Sequence, residues 1–230
     1  VWDIKDNEVS LGRFGWKAGE PNIRQQSAKA FNVDIGISTP LVNTPWGDCS
    51  SKQQKCRQAL HGSTSGQNRF EISPEAMDKL VFYSRNLGVP ARRDINDPQV
   101  LAGKKLFYDI GCADCHRPKF VTKRLADRPE QSFQLIWPYT DLLLHDMGER
   151  LADNRPEGLA TGKEWRTAPL WGIGLTKTVN GHTQFLHDGR ARNLMEAILW
   201  HGGEAEPAKQ KVLKFNSQKR EALLVFLNSL

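Results

Sequence analysis

Residues 111–116 read GCADCH, a Cys-x-x-Cys pair with a histidine directly after it, and this hexapeptide restricts what the chain can fold around more than any other stretch. Three chemistries use two cysteines at this spacing: a dithiol switch, a zinc site completed by a second ligand pair, and covalent attachment of a c-type haem. A thioredoxin-like switch wants a βαβ context, which the flanking sequence does not offer. Zinc wants a second Cys-x-x-Cys or His-x-x-x-His, whereas the other two cysteines, Cys49 and Cys56, stand apart with six residues between them. Haem attachment alone accounts for all six letters. Cys112 and Cys115 then carry the porphyrin through its vinyl groups, and His116 becomes the proximal iron ligand.

The rest of the sequence has the organisation such a group requires. Helical patterns occur at 21–31 (PNIRQQSAKAF), at 73–90, at 97–116, at about 193–201 and at 217–229, while residues 1–60 and 117–190 are rich in Gly and Pro and carry little regular period. The 73–90 segment has a Ser cap, a Pro at the first helical position and a Gly-Val-Pro end. The 97–116 segment places Leu101, Leu106, Phe107 and Ile110 on one face and leads into the cysteines. Strand signals are sparse. The expected fold is therefore mainly α, a cytochrome c-like domain with long loops around a covalent haem, since long loops in a compact domain usually wrap something.

Two internal echoes bear on the boundaries. LVFYSRNL at 80–87 resembles LLVFLNSL at 223–230, and FGWKAGEPNIRQQ at 14–26 resembles HDGRARNLMEA at 187–197. Similarity at long spacing points to duplicated units. On this reading residues 1–90 are the rear part of a first cytochrome c-like unit lacking its haem motif, and residues 95–230 are a complete c-type haem domain.

The net charge of +6 and pI near 9.2 favour acidic partners, yet the basic residues are spread along the chain, without a nucleic-acid motif. Apolar runs such as ALLVFL at 222–227 are too short for a transmembrane segment. The first residue is Val1, so the chain is expected to be either mature after signal removal or cut from something longer. Haem attachment implies export to the periplasm, an oxidising compartment in which Cys49 and Cys56 can form a disulfide; the alternative is two unpaired thiols.

The second axial position has several candidates: His145, Met147, His182, His187, Met195 and His201. Met147-Gly148 looks like the methionine side of a small cytochrome c. His201 sits at a helix end before two glycines that let the backbone turn close to a ring. Met195 lies at an apolar helical position and reads as core.

The stretches GRFGWKAGEPNIRQQSAKAFNVDIGIST, YTDLLLHDMGERLAD, EWRTAPLWGIG and FLHDGRARNLMEAILWHGGEA resemble the di-haem oxidoreductase family sometimes labelled thiol oxidoreductase, relatives of bacterial di-haem cytochrome c peroxidases. The resemblance covers nearly the whole chain. It implies two cytochrome c-like domains, an amino-terminal one with a peroxidatic haem and a carboxy-terminal one with an electron-transfer haem, and this chain matches the latter. It also implies an axial ligand fourteen positions after the histidine of FLHDG, methionine in the peroxidases and tyrosine in some relatives. Fourteen after His187 is His201, which makes His201 the expected second ligand and Met147 the runner-up. A calcium ion between domains is a further property of the peroxidases, although its ligating segment is not clearly matched and the expectation stays open.

Arg150, Arg166 and Lys123 are candidate partners for haem propionates, and Trp165, Trp171 and Trp200 could pack on the porphyrin or shorten an electron path. Surface charge and core packing are the plainer roles for these residues. The family's first Cys-x-x-Cys-His does not occur here. The expected function is accordingly electron transfer through one haem c, with a redox partner protein or a second haem domain. Two alternatives remain: a peroxidase using this haem, with His187 or His145 as acid-base group, and a haem-free zinc-binding module.

Overall fold

The computed structural model describes residues 1–64 and 69–230, and the chain divides into two compact units, Val1–Gly88 and Val89–Leu230. Helices dominate both. The few strands form short antiparallel pairs.

In the first unit, strand β1 (Trp2–Asp3) pairs with β2 (Glu8–Val9), and three helices follow: α1 (Ile23–Ile35), α2 (Gln54–Arg57) and α3 (Pro74–Arg85). Helix α1 starts where the Asn22 side chain accepts the Gln25 N–H and stops at Gly36, whose φ of 69° is the left-handed conformation glycine adopts at low cost. Helix α3 has the Ser73 cap and Pro74 read from the sequence. It ends sooner than Gly88, because the Asn86 N–H closes on the Phe82 and Tyr83 carbonyls. Its core is small, built on buried Ala28, Met77 and Val81. Cys49 and Cys56 form a disulfide, with Cα atoms 6.2 Å apart.

Polar bonds hold much of this unit together. The Glu71 carboxylate accepts the Ser38 N–H at 2.8 Å, the Ser38 hydroxyl at 3.0 Å and the Gly62 N–H at 2.8 Å. The Ser38 N–H, against the opposing effect of burial, lowers its pKa below the ordinary 4.5. A depressed folded-state value contributes stability above the unfolded value that is lost as pH falls through the folded one. Glu71→Gln is expected to cost about 1–2 kcal/mol at pH 7, reduced by solvent at this half-exposed group, and urea titrations should show the difference from the unsubstituted chain closing below about pH 4.5.

The second unit runs α4 (Pro98–Asp109), a 3-10 turn at Cys112–Asp114, β3 (Phe120–Val121), β4 (Leu135–Ile136), β5 (Leu144–Asp146), β6 (Glu164–Arg166), α5 (Thr176–Asn180), α6 (Leu194–Trp200), α7 (Glu206–Leu213) and α8 (Ser217–Ser229). β3 pairs with β4 and β5 with β6, setting His145 opposite Trp165. The Asp97 carboxylate caps α4 by accepting the Gln99 and Val100 N–H groups. The packing of α4 on α8 is the most extensive helix contact among the described residues.

The buried face of α4 is Val100, Gly103, Phe107 and Ile110. Leu101, expected on that face, is half-exposed, and Leu106 is only partly buried. The reason is Gly103, where a Cβ would lie 1.9 Å from the Ala222 carbonyl oxygen. Close approach of α8 at this glycine turns the helix so that Val100 rather than Leu101 faces inward. Phe107, Tyr139 and Phe226 complete the core with ring centroids 5.3–5.9 Å apart.

One element occurs in both units with the same internal bonds. Phe14 bridges Glu20 as Phe185 bridges Ala191. The Ala18 N–H bonds to Gly15 O as the Gly189 N–H bonds to Leu186 O. All four of these residues have positive φ, and Asn22 caps α1 as Asn193 caps α6. The register equates Phe14 with Phe185, so Gly15 corresponds to Leu186 and Ala18 to Gly189. His187 then matches Trp16, and His201 matches Ala30.

Candidate functional site

The cysteine motif sits just beyond α4. Gly111, at φ 96°, breaks the helix, and the following 3-10 turn carries Cys112. The His116 N–H bonds back to Cys112 O at 2.9 Å, so this single turn sets cysteine and histidine on one side of the backbone. The cysteines are thus delivered by a turn after the helix rather than by the helix itself. Both are free of disulfide, and Cys112 packs against the core. Burial, aided by Asp114, pushes the Cys112 thiol up to about 12; burial with Asp141 and Glu204 pushes Cys115 up to about 11. A reactive dithiol needs the opposite shift.

His116 and His201 lie close to each other. Their ring centroids are 6.4 Å apart at an interplanar angle of 48°. His116 Nδ1 lies 3.0 Å from Tyr139 O, and His201 Nδ1 lies 2.7 Å from Ala197 O. A carbonyl only accepts, so each Nδ1 carries the proton and donates, leaving Nε2 as the lone-pair nitrogen. Burial lowers both pKa values, that of His116 to about 4, which keeps the rings neutral. Each ring is thus oriented by a backbone carbonyl.

Of the remaining candidates, His145 is engaged at both nitrogens, Nδ1 with Glu204 Oε2 at 2.8 Å and Nε2 with Asp141 Oδ2 at 2.9 Å. Burial opposes its charge, but the two carboxylates outweigh this and raise its pKa. His187 stacks on Trp165 at 3.6 Å. His182 is exposed, and Met195 packs against the core as expected. Met147 is partly buried, its carbonyl lying where a Cβ on Gly202 would come within 2.9 Å.

Among the proposed anion partners, Arg166 is half-buried on β6 with its pKa lowered by burial, Arg150 stacks over Trp200, and Lys123 is exposed. Arg190 also stacks on Trp200, 5.0 Å from the ring centre. Trp171 is half-buried in the turn fixed by Leu170 N–H to Pro138 O and Gly172 N–H to Leu230 O. The structure therefore brings together Cys112, Cys115, His116 and His201, with His145 beside them, while Trp171 belongs to the turn under α8. Sequence reading missed Tyr139 and Glu204, which act through contacts at long separation, and Asp141, which bonds His145 four residues on. Among the described residues no group of three or more His, Cys, Asp or Glu side chains is arranged to hold a metal ion. A haem, whose porphyrin supplies four nitrogens, needs only the two imidazoles and fits this donor set.

Among the described residues no helix is long and apolar enough to cross a membrane. A family model described as "di-haem oxidoreductase, putative peroxidase" matches residues 3–230. No curated protein matches the chain.

Proposed function

The chain belongs to the di-haem oxidoreductase family, and from that premise we propose that its second unit is a cytochrome c-like electron-transfer domain carrying one covalent haem. The observation that carries this reading is the His116–His201 pair, two neutral imidazoles 6.4 Å apart with each Nδ1 held by a backbone carbonyl. Cys112 and Cys115 would hold the porphyrin, and His116 and His201 the iron. When bound, such a haem supplies a one-electron couple. The chain's own contribution is to orient two ligands, bury them and fill both axial positions. With both filled, this centre is suited to passing electrons and not to binding peroxide.

Unit 1 is read as the rear part of a first cytochrome c-like unit. The shared loop-and-helix element supports this, and Ala30 where unit 2 has His201 means that α1 offers no imidazole at the matching position. The Cys49–Cys56 disulfide favours an oxidising compartment, here the periplasm, and a second haem domain or a redox protein is the partner. Arg166 is the candidate among the half-buried cations for a propionate, and Arg150 with Trp200 a candidate flank.

Spectra of haem-loaded protein test the assignment. The unsubstituted chain should be low-spin without a methionine–iron band. His201→Ala should convert most of the ferric signal to high-spin. His201→Met should stay low-spin with a higher potential, because a thioether favours the ferrous form more than imidazole does. A His201→Ala spectrum identical to that of the unsubstituted protein would reject His201 as ligand, and a methionine band in the latter would transfer the role to Met147.

A further inference from the structure

We infer that His145 is a positioning residue that clasps the turn after His201 to the segment beside the haem-attachment motif, and so fixes His201 for iron. This rests on the reading of His201 as second axial ligand. Three contacts make the clasp continuous. The Asp141 N–H donates to Cys115 O at 2.9 Å. Asp141 Oδ2 meets His145 Nε2 at 2.9 Å, and His145 Nδ1 meets Glu204 Oε2 at 2.8 Å. Glu204 stands three residues after His201.

Each member is fixed from a second side. Asp141 Oδ1 accepts the Leu143 N–H, and Glu204 Oε1 accepts the Asp146 N–H, both at 2.9 Å. His145 is set by the β5–β6 pairing. The glycines after His201 permit the approach: a Cβ on Gly203 would lie 2.1 Å from Asp146 O, and one on Gly202 2.9 Å from Met147 O.

His201 needs such support. It stands at the end of α6, a seven-residue helix, and its own bonds, N–H to Ile198 O and Nδ1 to Ala197 O, all run back into that helix. Helix ends of this length fray readily. The restraint on its outer side comes from the 203–205 turn, and Glu204 is the side chain that ties this turn to β5.

The test uses the haem-loaded full chain with His145→Ala and, because Glu204 is more exposed and its loss perturbs packing less, Glu204→Ala as the second variant. Each should lose at least half of its low-spin ferric signal and bind added imidazole at least tenfold more tightly than the unsubstituted chain, with far-ultraviolet circular dichroism and covalent haem content retained. Imidazole should restore the low-spin spectrum. A purely structural ion triad would lower thermal stability without moving either readout, and unchanged spectra with unchanged imidazole affinity in Glu204→Ala overturn the clasp. His201→Ala separates the two failures. If it alters the spectrum while the clasp variants do not, the clasp alone is wrong; if it leaves the spectrum unaltered, the axial assignment falls and takes the clasp with it.

Discussion

Gly103→Val is expected to leave the second unit largely unfolded, and Gly103→Ala to cost it about 3 kcal/mol. At Gly103 a Cβ would meet the Ala222 carbonyl oxygen at 1.9 Å, its carbon at 2.6 Å and the Phe226 Cβ at 2.7 Å, and two of these three atoms are backbone. No rotamer change relieves such a clash. The helices must separate, and separating α4 from α8 loosens Phe107 and Phe226, the rings packed closest to Tyr139. The Tyr139 carbonyl in turn orients His116, so damage to a helix crossing should reach the site. Urea denaturation reads the cost. Gly158→Ala is the comparison: its φ of 57° makes a side chain cost about 1 kcal/mol, but nothing lies within 4 Å of the added carbon. Equal destabilisation by the two alanines would show that the crossing is not tight.

The second large effect concerns the cysteines. Cys112→Ser with Cys115→Ser is expected to abolish covalent attachment completely, so that denaturing gel filtration separates the haem colour from the polypeptide and intact mass falls to that of the bare chain. Each single variant should keep one thioether and remain coloured under denaturation. Covalent haem retained in the double variant would overturn the c-type assignment. His116→Ala should differ in kind, since it would remove a proposed iron ligand and leave both thioethers in place. Its colour should survive denaturation while its native spectrum shifts.

Features that depend on neighbours in sequence were legible before the structure. Ser73 and Pro74 begin α3 and Asn193 begins α6, because capping is a local contest for N–H groups. The face of α4 was misread because an apolar pattern counts side chains, and the closest contact there is made by a residue that has none. Helix α7 escaped notice since EPAKQKVL has only Val212 and Leu213 as large apolar residues, although its early Pro207 is a start signal. Asp141, Glu204 and Tyr139 could not be found at all. The partners of Glu204 and Tyr139 lie far along the chain, Asp141 meets His145 four residues on in a stretch with no regular period, and Tyr139 has a φ of 53° that nothing in its own sequence requires.

The loop-and-helix element present in both units is an experiment in divergence already performed. Positions where the two copies agree, Phe14 with Phe185 and Asn22 with Asn193, mark what the backbone path demands. Positions where they part include Trp16 against His187 and Ala30 against His201. Gly15 and Leu186 share a left-handed backbone at unequal cost, and leucine is the dearer resident.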